Sequence, residues 1–295
     1  MANEIGESDL AVLWLGLHEA KRANVTNLVV ESSDADVWVA ALVCTAADHN
    51  FGDLKVHIHR PATHEFVDIR GTVTALQQCG SGIDPLTFGY LFALCGCDFT
   101  SGIAGFTHES VIKAYITHQC WIEVEAKLIA KAEDSQLTFN LVSVKRLFCA
   151  IYFEKTKGNA QNTNYRVNHD DAEGLGLDGL LSHEGTLDLT YTRIQRESTM
   201  GNARETMQLP KWSAVHRHAR RAQWAVTYWY HAIDDNNSRP YRPRVPDPLA
   251  KDNEGVAGWI LVEGQVVIDW DEGVHAGGEG RAGGEDAGRT LSVCR

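Results

Sequence analysis

Five carboxylates, Glu7 and Asp9, Asp34 and Asp36, and then Asp98, fall in three clusters, each at the beginning or end of an expected helix or strand. Carboxylates held close together repel one another unless a hard cation neutralises them. Mg2+ or Mn2+ prefers such oxygen ligands and keeps bound waters for phosphate chemistry. The pattern therefore points first to a divalent-metal site and to phosphodiester hydrolysis. The plainer reading of Glu7 and Asp9 is N-terminal capping, since acid in the first turn of a helix is favoured by the helix dipole with or without a metal.

Other residues with ligand chemistry are less well arranged. Cys95 and Cys97 flank a glycine, but a single C-x-C without a second pair at zinc spacing is read as packing, and no zinc is assigned. His57 and His59 alternate with Val56 and Ile58, which puts both on the solvated face of a strand without an obvious third nitrogen ligand.

The elements that position the acids follow from periodicity. Ser8 to Arg22 carries Leu10, Leu13, Trp14, Leu15 and Leu17 and reads as a helix apolar on nearly every face, with Glu7 and Asp9 at its start. Thr26 to Glu31 reads as a short buried strand, Ser32 to Asp36 as the turn at its end, and Val37 to Ala47 as a second buried helix. Leu54 to His59 and Glu65 to Arg70 read as strands joined by a turn at Arg60 to Thr63. Pro85 to Cys95 is an apolar helix closed by a glycine-bounded turn from Gly96 to Gly102 that presents Asp98. Thr107 to Thr117 and Gln136 to Phe153 are further helices. This order predicts an α/β domain with a mainly parallel sheet, in which ligands gather at the carboxyl ends of the strands, where Asp34 and Asp36 fall.

Composition sets bounds on the rest. The chain has 295 residues, 44% of them hydrophobic and 22% charged, which suits a globular protein with a sizeable core. Its formal charge of −12 argues against a generally basic, nonspecifically adhesive protein, although metal-dependent nucleases concentrate acid at their sites. Seven cysteines without disulfide spacing read as thiols in a reducing, intracellular compartment, with the nucleus open and no targeting signal in view. The sequence has neither a signal-peptide pattern nor an apolar run of the ~18 residues needed to span a bilayer, so a soluble protein with no membrane partner is expected.

Four regions are expected: 1–155 as the core, 156–185 as a flexible linker, 186–272 as a basic, tryptophan-rich and mostly helical region, and 273–295 as a disordered tail. Between Arg193 and Arg244 ten Lys/Arg stand against four Asp/Glu, reversing the charge of the whole. A helix from Lys211 to Ala232 sets Arg217, Arg220 and Arg221 beside Trp212, Trp224 and Trp229. The arginines are the candidates for phosphate contact, and the tryptophans read as core in preference to base-stacking platforms. Val245 to Leu249 reads as extended, and Gly258 to Ile268 as a hairpin turning at Glu263-Gly264.

Taken in order, Glu7-Ser8-Asp9 opening a helix, Val29-Val30-Glu31-Ser32-Ser33-Asp34-Ala35-Asp36-Val37 ending a strand, and Ala93-Leu94-Cys95-Gly96-Cys97-Asp98-Phe99-Thr100-Ser101 ending a helix resemble the nuclease core of the flap-endonuclease/XPG superfamily. The nearest resemblance is to its divergent, transposon-associated branch, and it spans roughly residues 4 to 118. It implies a PIN-like three-layer fold and two Mg2+ or Mn2+ ions. Glu7, Asp9 and Asp34 would lie on the first-metal side, Asp36 and Asp98 would serve the second, and Asp34, Asp36 and Asp98 would be catalytic. It also implies a nucleic-acid partner, DNA in preference to RNA, gripped through Gly102, Gly105, Thr107 and His108. Thr107 and His108 stand where the family carries positive charge. Members begin with a further strand bearing another metal-site aspartate, which would precede Met1, so an N-terminally truncated core is expected. Leu209-Pro210, Arg220 to Trp224, Tyr228-Trp229, Pro246 to Pro248 and Gly258-Trp259 resemble the region that follows the core in that branch.

Two other functions compete. Asp34-Ala35-Asp36 after a strand is also the form of a phosphatase-like Asp-x-Asp nucleophile loop, although Ser32-Ser33 and the upstream acids fit it poorly. A noncatalytic, transposon-derived nucleic-acid-binding protein would need only the basic region.

Overall fold

The computed structural model describes residues 8–46, 51, 53–80, 82–98, 100, 102–103, 105–132, 137–157, 187–188, 191–192, 194–195, 209–231, 259–262 and 265–268, with side chains described for all of these except 8, 9, 153, 155–157 and the last two segments. The expected linker from 156 onward, all but its first two residues, and the tail from 273 lie outside them, as do the extended stretch at Val245 to Leu249 and Glu7.

The first helix, α1 (Ser8–Arg22), buries Leu10, Leu13, Leu17 and Ala20 at helical spacing against the first strand and second helix. Val12 and Leu15 are 50% and 54% exposed, so the helix has an open face, contrary to the all-round burial expected of it. It ends at Asn24, whose φ of +52° is the left-handed conformation that asparagine tolerates.

β1 (Asn27–Glu31) leads through α2 (Ala35–Ala46) to β2 (Lys55–Arg60), and the two strands pair in parallel. A short turn with His64 in the left-handed region (φ +54°) returns the chain to β3 (Glu65–Asp68), and a turn of this length joins only antiparallel strands. The three-stranded sheet is therefore mixed, with order β1-β2-β3, and not mainly parallel as expected. Val30, Ile58 and Val67 form a row on the covered face, whereas Val29, His57 and Asp68 lie on the other. The described helices that pack on the sheet cover the face of Val30, which is buried, and Val29 on the other face is 55% exposed.

Asp68 ends β3 by accepting the Arg70 N–H at 3.1 Å, which starts an unexpected helix, α3 (Ile69–Gln77), where the strand was expected to continue. α4 (Pro85–Cys95) has the bounds read from the sequence. Asp84 accepts the Thr87 N–H at 3.0 Å, Pro85 fits the first helical position, and Gly96 closes the helix with φ +116°. Every residue of α4 is buried. α5 (His108–Ile122) is capped by a reciprocal Thr107–Ser110 pair and kinks at His118.

The helix expected from Gln136 begins later. Leu137–Phe139 is β5, paired antiparallel with the unexpected β4 (Ile129–Lys131), and Asn140 accepts the Ser143 N–H at 2.9 Å to open α6 (Leu141–Lys157). α7 (Trp212–Tyr230) packs on α2 and α4. The Tyr90 hydroxyl donates to the Ala219 carbonyl at 3.2 Å, and Cys44 Sγ to that of Trp229 at 3.1 Å. Buried side chains of α2, α4, α5, α6 and α7 join one hydrophobic core. β6 (Trp259–Val262) and β7 (Gln265–Ile268) form the expected hairpin. The chain is α/β, and no described helix is long and apolar enough to cross a membrane.

Candidate functional site

The corner where β1 gives way to α2 is built by a run of side-chain-to-backbone bonds. The Ser32 N–H donates to the His59 carbonyl at 3.0 Å, extending the sheet by one bond. Ser32 Oγ accepts the Asp34 N–H at 3.1 Å, and Asp34 Oδ1 accepts the Asp36 N–H at 2.8 Å. Asp34 thus caps α2, satisfying a donor that the helix cannot satisfy internally. Asp36, in the first turn, is 8% exposed.

The second wall comes from the end of α4. Gly96 turns the chain, and Cys97 and Thr100 exchange backbone bonds of 3.0 and 3.1 Å. The buried Thr100 hydroxyl donates to the Ala93 carbonyl at 2.5 Å and accepts the Cys97 N–H at 3.1 Å, tying the turn to the last turn of α4. Asp98 is held outward on this turn, and its N–H donates to Asp36 Oδ2 at 3.1 Å. Partial burial, and then the charge of Asp34, push the Asp98 carboxyl above its ordinary range.

Three of the five expected metal-site acids, Asp34, Asp36 and Asp98, therefore meet at one corner, at the carboxyl end of β1. Asp9 lies in the first turn of α1, which packs on β1 and α2, but its side chain is not described, and Glu7 is outside the described residues. Among the described residues no group of three or more His, Cys, Asp or Glu is placed to hold a metal ion together. The donor set itself is all oxygen, which suits a hard cation, and one oxygen of Asp34 and one of Asp36 are already engaged by backbone N–H groups.

The expected nucleic-acid residues divide. Gly105 has φ +76°, and a Cβ on Gly102 would stand 3.2 Å from the Cys95 carbonyl, so both glycines answer to the backbone path beside Asp98. The Thr107 side chain is engaged in capping α5. His108 lies against Phe92 with ring centroids 4.3 Å apart, and partial burial lowers its pKa. Phe92 in turn contacts Trp38 and Trp229.

On α7, Arg217 and Arg220 are partly exposed, but Arg221 is 4% exposed, inside the core. It shares the buried face with His218, Ala222 and Ala225, at helical spacing, which removes it from the surface contacts expected of it. Trp229 is fully buried, and Trp212 and Trp224 are half-buried. Ser32 and Thr100, which shape the acidic corner, were not singled out in the sequence. Their signals are a serine two residues before the capping aspartate and a threonine closing a four-residue turn.

No protein-family model matches this chain, and neither a curated protein nor a solved structure matches it.

Proposed function

We propose that this chain carries the acidic corner of a divalent-metal-dependent nuclease acting on DNA, in a PIN-like three-layer arrangement of the flap-endonuclease kind. One observation supports it above all others. The Asp98 N–H reaches Asp36 Oδ2 across 62 positions of sequence, uniting two acidic clusters, and partial burial together with the charge of Asp34 raises the pKa of the Asp98 carboxyl. A cation is the simplest relief for the mutual repulsion that Asp98 and Asp34 carry. Asp34, Asp36 and Asp98 would hold Mg2+ or Mn2+, with Glu7 and Asp9 completing the ligand set from the start of α1. When bound, such ions supply an acidified water and stabilise the leaving oxygen of a phosphodiester. The chain's own part is positional: Asp34 fixes the start of α2, Asp36 fixes the Asp98 turn, and Gly102 and Gly105 let the backbone lead from Asp98 into α5.

The test is Mg2+- or Mn2+-dependent cleavage of branched and single-stranded DNA, with RNA as comparison, by wild type and Asp98→Ala. Metal-dependent cleavage lost in the variant supports the proposal, and equal activity in both rejects it. A noncatalytic nucleic-acid-binding role is the second reading. It is favoured by the engagement of Asp34 and Asp36 with backbone N–H groups, which gives both acids a structural task. It requires DNA binding that survives Asp34→Asn, with no cleavage in either protein.

A further inference from the structure

α6 and α7 bring a second set of chemically active side chains together, apart from the acids. Trp212, His216 and Arg220 follow one another at four-residue spacing on one face of α7. The Trp212 and His216 rings are near-parallel, at 13° with centroids 6.4 Å apart, and Arg220 Nε donates to His216 Nε2 at 3.1 Å. From α6, the Lys145 ammonium lies 4.2 Å from the centre of the Trp212 ring. Buried Tyr191 meets Trp212 edge-on at 5.3 Å and anchors its hydroxyl on the Pro210 carbonyl at 2.8 Å.

The protonation of this group follows from its bonds. A ring nitrogen that accepts from a guanidinium bears no proton, so His216 is neutral with its proton on Nδ1. Burial, then Arg220, then Lys145 lower its pKa, so both cations act on one imidazole and face one region. Lys145 has an acidic partner, Asp188, whose side chain is 63% exposed. Arg220 has no acidic partner among the described residues. Two cations against one carboxylate leave a positive spot on a chain whose formal charge is −12.

We infer that Lys145 and Arg220 form a binding site for a phosphate-type oxyanion, either a phosphodiester of a nucleic-acid strand or a free phosphate, with His216 orienting the guanidinium and Asp188 competing for the ammonium. Arg220 keeps its two terminal nitrogens for the ligand because its Nε is held by His216, and a guanidinium fork matches two phosphate oxygens. The face of Trp212 is occupied by Lys145, so the ring holds a cation and does not stack a base. Binding through this site is accordingly indifferent to base sequence. The nucleic-acid source rests on the function proposed above, and the free-phosphate source does not.

The test uses the full chain with 15N-labelled histidine, in EDTA so that no divalent ion contributes. Inorganic phosphate and a single-stranded oligodeoxynucleotide are titrated separately. An anion seated beside Arg220 raises the His216 pKa by about one unit. Arg220→Gln and Lys145→Gln each weaken binding about tenfold, whereas Asp188→Asn strengthens it. With the oligonucleotide, Arg220→Gln makes the salt dependence shallower by about 0.7 in log–log slope. A response to phosphate alone assigns a small-anion site, and one to the oligonucleotide a strand contact. A His216 pKa unmoved by both ligands overturns the assignment. So does an Asp188→Asn protein that binds more weakly than wild type, because loss of fold weakens all three variants alike. Cleavage lost in Asp98→Ala with this binding intact separates the two sites.

Discussion

The backbone N–H of Asp98 donates to Asp36 Oδ2 at 3.1 Å, so a turn at the end of α4 is held by a buried carboxylate at the start of α2. The bond is charge-assisted and its acceptor belongs to a side chain only 8% exposed, so solvent replaces a lost acceptor there poorly. Asp36→Ala should therefore lower unfolding stability by about 2 kcal/mol. Asp36→Asn keeps an oxygen acceptor and should lose roughly half of that. Denaturant midpoints at a constant slope decide it, and equal losses for Ala and Asn would show that the bond carries little.

Asp98 works against stability at neutral pH. Its folded pKa lies above the ordinary 3.8, raised first by partial burial and then by Asp34. A raised folded pKa favours the protonated form. The stabilising contribution is thus complete below 3.8 and is lost as pH rises through the folded value. Asp98→Asn should accordingly melt higher than wild type at pH 7, with the difference vanishing in acid below that range. Mg2+ or Mn2+ bound at this corner should reverse the order by stabilising wild type alone. Thermal melts with and without the metal give both comparisons, and a lower-melting Asp98→Asn protein at pH 7 would contradict the electrostatic account.

Close approach of α2 and α4 depends on Gly89. A Cβ there would stand 2.3 Å from Val43 Cγ2 and 3.9 Å from Val226 Cγ1, and a β-branched valine has little rotamer freedom with which to yield. Overpacking of this kind costs about 1–3 kcal/mol, against which the helix preference for alanine returns about 1 kcal/mol. Gly89→Ala should be destabilised on balance. Val43→Ala should rescue it, the double variant being more stable than the sum of the two single effects. Strict additivity would mean that the clash is relieved elsewhere.

How much of this was legible in the sequence depends on how local the cause was. α4 could be bounded because Asp84-Pro85 and Gly96 are local start and stop signals, and α1 and the final hairpin because their periodicity or turn chemistry is local too. α3 was missed because Asp68, read as strand, caps a nine-residue helix rich in β-branched residues. β5 was missed because its apolar residues run straight into those of α6, and only Asn140 separates them. That Asp34, Asp36 and Asp98 share a corner follows from the packing of α4 on α2, which no spacing encodes. Arg221 reads as a surface base until α7 packs on α2 and α4. Lys145 lies too far along the chain from Trp212 for any window to pair them.

The same helix supplies a pH-sensitive joint. His218 is 5% exposed, and its Nε2–H donates at 2.9 Å to the carbonyl of Leu94, in the last turn of α4. Burial lowers its pKa to about 4; the Leu94 bond opposes this, and the charge of Arg221 adds to it. A folded pKa below the ordinary 6.5 means that the stabilising contribution is present above 6.5 and is lost as pH falls through about 4. At about 1.4 kcal/mol per unit, the loss is on the order of 3 kcal/mol. His218→Gln, which cannot titrate, should be less stable than wild type at pH 7, with that gap narrowing by this amount between pH 7 and pH 4. Unfolding followed across the range, with the His218 ring titrated by NMR, tests both parts, and a gap that does not change with pH would place the acid sensitivity elsewhere.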